Sequence, residues 1–110
     1  MPIFISRGNY TRDAITGMTA NPEDRSAEVA RLLKAAGGKL HGHYMTFGEY
    51  DFLVIGEAPK EEDVLATLIA VAGSGGVTNL NTTLAVDSSS MRKAFKKAQP
   101  LAKKFRAAGQ

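Results

Sequence analysis

Thr46-Phe47-Gly48-Glu49-Tyr50-Asp51-Phe52-Leu53-Val54-Ile55-Gly56-Glu57-Ala58-Pro59 carries the end of one strand, a tight glycine turn and a second strand stopped by proline. Upstream, Lys39 to Phe47 alternates, with Leu40, Gly42, Tyr44 and Thr46 on one face and His41, His43, Met45 and Phe47 on the other. With Gly48-Glu49 as the turn, this strand and Tyr50–Ala58 must run antiparallel as a hairpin. The run also sets a Tyr-Asp pair at the start of a strand that should be buried.

Outward from the hairpin, helices flank it on both sides. Asn21-Pro22-Glu23-Asp24 offers a cap, a proline suited to the first turn and two acids at the positive end of the dipole. Val29, Leu32, Leu33 and Ala36 then share one helical face, and Gly37-Gly38 ends it. After the hairpin, Pro59 to Asp63 opens a second helix whose apolar positions are Val64, Leu65, Leu68, Ile69 and Ala72, and Gly73-Ser74-Gly75-Gly76 stops it. Pro2–Arg7 and Val77–Val86 read as the outer strands, and Thr11–Met18 as a short helical turn capped by Thr11. Along the last strand Leu80, Thr82, Leu84 and Val86 face one way. Asn79, Asn81 and Thr83, joined by Ser6, make the other face polar. Ser88-Ser89-Ser90 caps a terminal helix from about Met91, which Pro100 interrupts.

The order is βαββαβ with a helical tail. Right-handed crossovers turn it into an α+β, ferredoxin-like fold: a four-stranded antiparallel sheet with two helices on one face. Apolar side chains of both parities then leave the other sheet face bare, and a second copy of the chain is its simplest cover.

The chain has 110 residues, enough for one domain, and no cysteine, so disulfides, thiolate metal sites and a cysteine nucleophile are excluded. No leader resembling a signal peptide and no span near the roughly 18 apolar residues of a membrane helix are present, so the expected location is cytoplasmic. The net charge of +3 hides an asymmetry. Residues 1–87 carry seven Lys and Arg against eleven acids, for −4; residues 88–110 carry seven basic residues and no acid, for +7. A domain over 1–87 and a basic amphipathic tail over 88–110 follow.

Several features together resemble the GYD-domain family: Gly48-Glu49-Tyr50-Asp51 after Tyr44, and Glu57-Ala58-Pro59 closing the apolar strand. Tyr10-Thr11, Asn21-Pro22 with Arg25, Gly37-Gly38 and the Gly-rich turn into a Thr-rich last strand agree. The match spans about residues 2 to 86. It implies a dimeric α/β-barrel in which two ferredoxin-like units press their sheets together, and no agreed activity. Val77-Thr78-Asn79-Leu80-Asn81-Thr82 departs from the Arg-Thr pattern usual in the family's last strand, and the tail inherits nothing.

The residues that could carry chemistry are few. Tyr50 and Asp51 read either as an ionisable pair lining a cavity, or as a carboxylate accepting backbone amides around the Gly48 turn beside a packed phenol. A buried Asp51 needs a partner, with Arg25, His41, His43 and Lys39 available. His41 and His43, about 7 Å apart on one strand face, could grip a metal or supply a base. No third ligand lies nearby, so no metal and no cofactor are expected. Ser74 lacks the strand-to-helix setting of a nucleophile. Ligand-binding candidates are thus Tyr44, Tyr50, Asp51, His41, His43 and Arg25.

The favoured function is a homo-oligomeric barrel that binds a small organic ligand. One alternative is a cofactor-independent oxygenase or isomerase with Asp51 or His43 as base. The other is a recruitment module working through residues 91–110 on an acidic partner. With only Phe95 and Phe105 to stack, the tail argues against nucleic acid; a membrane partner is not expected either.

Overall fold

A computed structural model describes residues 1–110. The elements are β1 (Ile3–Tyr10), α1 (Arg12–Ala20), α2 (Ser26–Ala35), β2 (Lys39–Met45), β3 (Phe52–Glu57), α3 (Glu61–Gly73), β4 (Val77–Ala85) and α4 (Ser88–Lys104). The strands form one sheet in the order β2-β3-β1-β4, with every pair antiparallel. This is the expected ferredoxin-like sheet, with a first crossover that contains two helices instead of one.

Thr11 caps α1, its side chain accepting from the Ala14 amide at 3.2 Å. The next helix does not start at Asn21-Pro22. α1 runs on to Ala20, and Asn21 closes it by donating its amide to the Gly17 carbonyl at 2.9 Å. Residues 22–25 become a link, and Asp24 accepts the Ser26 amide at 2.9 Å as α2 begins. The end of α2 is as expected. Gly37 takes φ +84, the Gly38 amide reaches Leu33 O and the Gly37 amide reaches Lys34 O, so two orphan carbonyls are satisfied.

The hairpin strands are shorter than their alternation suggests. Thr46–Asp51 is a loop, closed by Thr46 N to Asp51 O (2.9 Å) and Thr46 Oγ1 to Tyr50 O (2.6 Å), with Gly48 at φ +143. In β2, Leu40 pairs with Gly56 but Gly42 pairs with Ile55, so His41 is an extra, bulged residue. One inserted residue reverses the pleat. Leu40 and His43 therefore share the helix-covered face, whereas Gly42 and Tyr44 lie with Leu53 and Ile55 on the open one. A second bulge lies where Arg7 pairs with Asn81 and Asn9 with Thr78. There Asn79 adopts φ 56, a left-handed conformation that asparagine tolerates, and its amide donates to Asn9 Oδ1 at 3.0 Å. Ser6 is not on the polar face with Asn81 and Thr83. It is buried on the helix side, 2.7 Å from Thr82 Oγ1.

The core is small. Phe4, Leu33, Ala58 and Val64 form it, with Val29, Leu40 and Leu68 packed around, and only ten residues of the chain are buried. Such a core leaves much apolar surface to be covered otherwise. Ile3, Ile5, Leu53, Ile55 and Tyr44 lie on the open sheet face, only half-buried or exposed.

α4 starts at Ser88, earlier than expected, because Asp87 rather than the serines caps it, accepting the Ser90 amide at 2.7 Å. It also runs straight through Pro100. The proline removes one helical hydrogen bond, but every residue of α4 is exposed, so the freed Lys96 carbonyl is not buried without a partner. Projecting from the body, α4 contributes to a molecule 59 Å long. No helix is long and apolar enough to cross a membrane.

Candidate functional site

A cavity of about 510 Å³ lies between the sheet and helices α1, α2 and α3, not on the open sheet face. Its walls are mainly apolar: Phe4, Phe52 and Val54 from the sheet, Val29, Leu32 and Leu33 from α2, Leu68 and Val71 from α3. From α1, Ala14, Gly17 and Met18 face it.

A polar group gathers at one part of the wall. The 22–25 link brings Glu23 and Arg25, which pair at 3.2 Å with both side chains partly exposed. β2 brings His43, whose Nδ1 lies 3.2 Å from Ser26 Oγ at the start of α2. β1 ends in Tyr10, its ring 5.2 Å from that of Phe52. Burial pushes the Tyr10 phenol above its ordinary value; Arg25 opposes this, and Asp51 and Glu23 add to it. Burial likewise holds the His43 imidazole below its ordinary value, with Asp24 opposing and Arg25 reinforcing. His43 is therefore neutral at pH 7, and Arg25 is the cationic group among the cavity-lining residues.

A pH dependence follows. Unfolded, His43 takes up its proton near pH 6.5; folded, it does so only at lower pH. Its contribution to stability is thus complete above about pH 6.5 and is lost as pH falls through the folded value. An NMR titration of the ring should inflect below 6.5, and lower still in Asp24→Asn. An inflection at or above 6.5 would remove the burial argument.

Of the expected ligand residues, Arg25 and His43 line this cavity and the other four are elsewhere. Asp51 ties β3 to β1: its Oδ2 accepts the Tyr10 amide at 2.9 Å, and its own amide donates to Gly8 O at 2.8 Å. This is the backbone-amide role expected of it, but with an amide from the neighbouring strand. None of Arg25, His41, His43 and Lys39 is its hydrogen-bond partner. The bulge separates the imidazoles, so they do not share a face. His41 Nε2 sits 3.4 Å from Glu57 Oε1, while His43 turns to α2. No group of three or more metal-ligating side chains is assembled. Tyr44 lies on the open face, its ring 3.0 Å from where a Gly42 Cβ would stand. Tyr50 borders a smaller hollow of about 280 Å³ beside Arg7, Phe47 and Leu53.

Tyr10, Glu23 and Ser26 are the site residues that sequence reasoning missed. Reading Asn21–Asp24 as a helix start hid the link that carries Glu23 to the cavity rim.

Fold and site together define a ferredoxin-like α+β protein with a helix–sheet cavity polar on one side. The chain belongs to the GYD-domain family, whose model matches residues 4–95, so the match runs past residue 86 into α4. Solved structures share the fold. The crystal structure of FFRP-DM1 is 17% identical, covering 78% of this chain and all of that one, with a TM-score of 0.53. Hypothetical protein PHS023 from Pyrococcus horikoshii is 17% identical over 80% of this chain and 93% of that one (TM-score 0.52). TTHA0845 from Thermus thermophilus is 13% identical over 80% and 96% (TM-score 0.53). At these identities the likeness concerns the fold. No curated protein matches the sequence.

Proposed function

We propose that this protein is a homo-oligomeric binding protein for a small, mostly apolar organic anion. The ligand occupies the helix–sheet cavity with its charged end toward Arg25, beside Tyr10 and His43. The observation that carries this reading is the cavity itself. Its volume is in the range of small-ligand sites, and an apolar wall meets a few convergent polar groups on one side. A ligand anion would compete with Glu23 for Arg25, because Glu23 pairs with that guanidinium and Glu28 also lines the wall. The second copy is expected on the open face of Ile3, Ile5, Leu53 and Ile55, and a cytoplasmic setting belongs to the same proposal. A proton-transfer enzyme using Asp51 with His43 has less support, because the carboxylate is engaged by the Tyr10 amide and does not line the cavity.

The test uses the full chain and anilinonaphthalene sulfonate, an aromatic anion. One probe per chain should bind saturably. Gly17→Phe should weaken it about tenfold, roughly 1.4 kcal/mol, by filling the cavity. A Cβ at Gly17 meets nothing within 4 Å, so the substitution begins without a backbone clash, and an unchanged far-ultraviolet circular dichroism spectrum checks that the variant folds. Arg25→Ala should weaken the anion more than an uncharged naphthalene of the same shape. Binding indifferent to Gly17→Phe would overturn the assignment.

A further inference from the structure

Two apolar helix faces with opposite flanking charge stand uncovered. α3 buries Val64 and Thr67 against the sheet, yet Leu65 and Ile69 on its other side are 59% and 71% exposed. Ala66 and Ala72 lie beside them, and Glu61 and Glu62 head the same stripe. A helix apolar on two sides belongs between two layers, and this chain supplies one.

α4 has the complementary pattern. At 100° per residue Met91, Phe95, Ala98 and Ala102 fall in one arc, with Leu101 at its edge. Arg92 and Lys103 border the arc on one side and Lys97 borders it beside Leu101 on the other, whereas Lys93, Lys96 and Lys104 lie on the opposite face. The helix is about 25 Å long against about 20 Å for α3, so the stripes match in length. Lysine stems can lie along apolar surface while their ammonium groups reach acids at its margin.

The own α3 is not the occupant. α4 leaves β4 through Val86 and Asp87 alone, Asp87 is fixed as its cap, and every residue of α4 points into solvent. A bilayer would use the basic face but leave the acidic, apolar stripe of α3 bare. One contact covers both. We infer that α4 of one copy packs on the outer face of α3 in a second copy, with its lysines against Glu61 and Glu62. This contact does not depend on pairing through the open sheet, which leaves both helix faces outward.

The chain lacks cysteine, so single thiols can be placed without background. Ile69→Cys and Ala98→Cys sit mid-stripe on α3 and α4, where either helix direction brings them together. Equal amounts of the two full-length variants, mixed and mildly oxidised, should give a covalent dimer that neither gives alone. Glu61→Lys with Glu62→Lys in the first should abolish most of it. Arg92, Lys97 and Lys103 changed to Glu in the second should restore it. A disulfide only within the chain carrying both substitutions would show self-docking and overturn the inference. So would absence of the mixed dimer, with or without co-sedimentation of the protein on anionic vesicles. Repeating the mixture with Ile55→Arg in both partners separates the two contacts. A disulfide retained in a protein whose assembly is indifferent to Ile55→Arg refutes sheet pairing alone; no disulfide with Ile55 intact, in a protein whose assembly Ile55→Arg does weaken, refutes this inference alone.

Discussion

Ile55→Arg should abolish the contact through the open sheet face while leaving each 11.7 kDa chain folded. Ile55 sits opposite Ile5 of β1 and Gly42 of β2, in the middle of the open face. In a single chain that face meets water, so arginine there leaves the core of Phe4, Leu33, Ala58 and Val64 intact. Across a two-fold contact the substitution appears twice. It places two like charges in an apolar patch, which costs several kcal/mol. The dissociation constant should rise about 100-fold or more, while the far-ultraviolet circular dichroism stays the same. Sedimentation across a dilution series reads the change, and Ile55→Val should behave as the parent. If the unaltered chain already sediments as a monomer at micromolar concentration, the open face is not an interface.

The largest loss of stability is expected from Gly38→Ala. Gly38 follows the left-handed Gly37 at the end of α2 and enters β2 beside the end of β3. A Cβ built there would overlap the Glu57 carbonyl oxygen and stand 3.1 Å from Ala58 Cα. Both neighbours are backbone, so no rotamer change relieves the clash; the strands must part near the Lys39–Glu57 pair. A cost of about 3 kcal/mol or more follows, a large share of the 5–15 kcal/mol that holds a typical domain folded. The melting temperature should fall by about 15 °C. Gly17→Ala, which meets nothing within 4 Å, is the control and should gain about 0.5 kcal/mol from helix propensity. Equal stability of Gly38→Ala and its parent would mean that the two backbones do not approach this closely.

Much of the fold was legible because its signals are local. Thr11 as a cap, Gly37-Gly38 as a helix stop and the antiparallel hairpin around Gly48 each need only neighbouring residues. The errors came where a distant group decides. His41 bulges because Leu40 and Gly42 pair with consecutive residues of β3, and that one residue undoes the shared face of the two histidines. Pro22 looked like a first-turn proline, but α1 had already claimed Asn21 as its end. Pro100 looked like a break, and full solvation of α4 made it tolerable. At the site, Arg25 and His43 were named from sequence, and Tyr10, Glu23 and Ser26 were not.

By itself the sequence determined the order and direction of the strands, the surplus of apolar residues over what one small core can bury, and the split between an acidic body and a basic tail. These rest on periodicity and counting, which survive without coordinates. Only the tertiary structure decided that Tyr10, Arg25 and His43 share one cavity wall, that Asp51 serves a backbone amide, and that the cavity opens under the helices. Such contacts join residues from separate elements through space. Their geometry depends on sheet register, where a single bulged residue exchanges inside for outside.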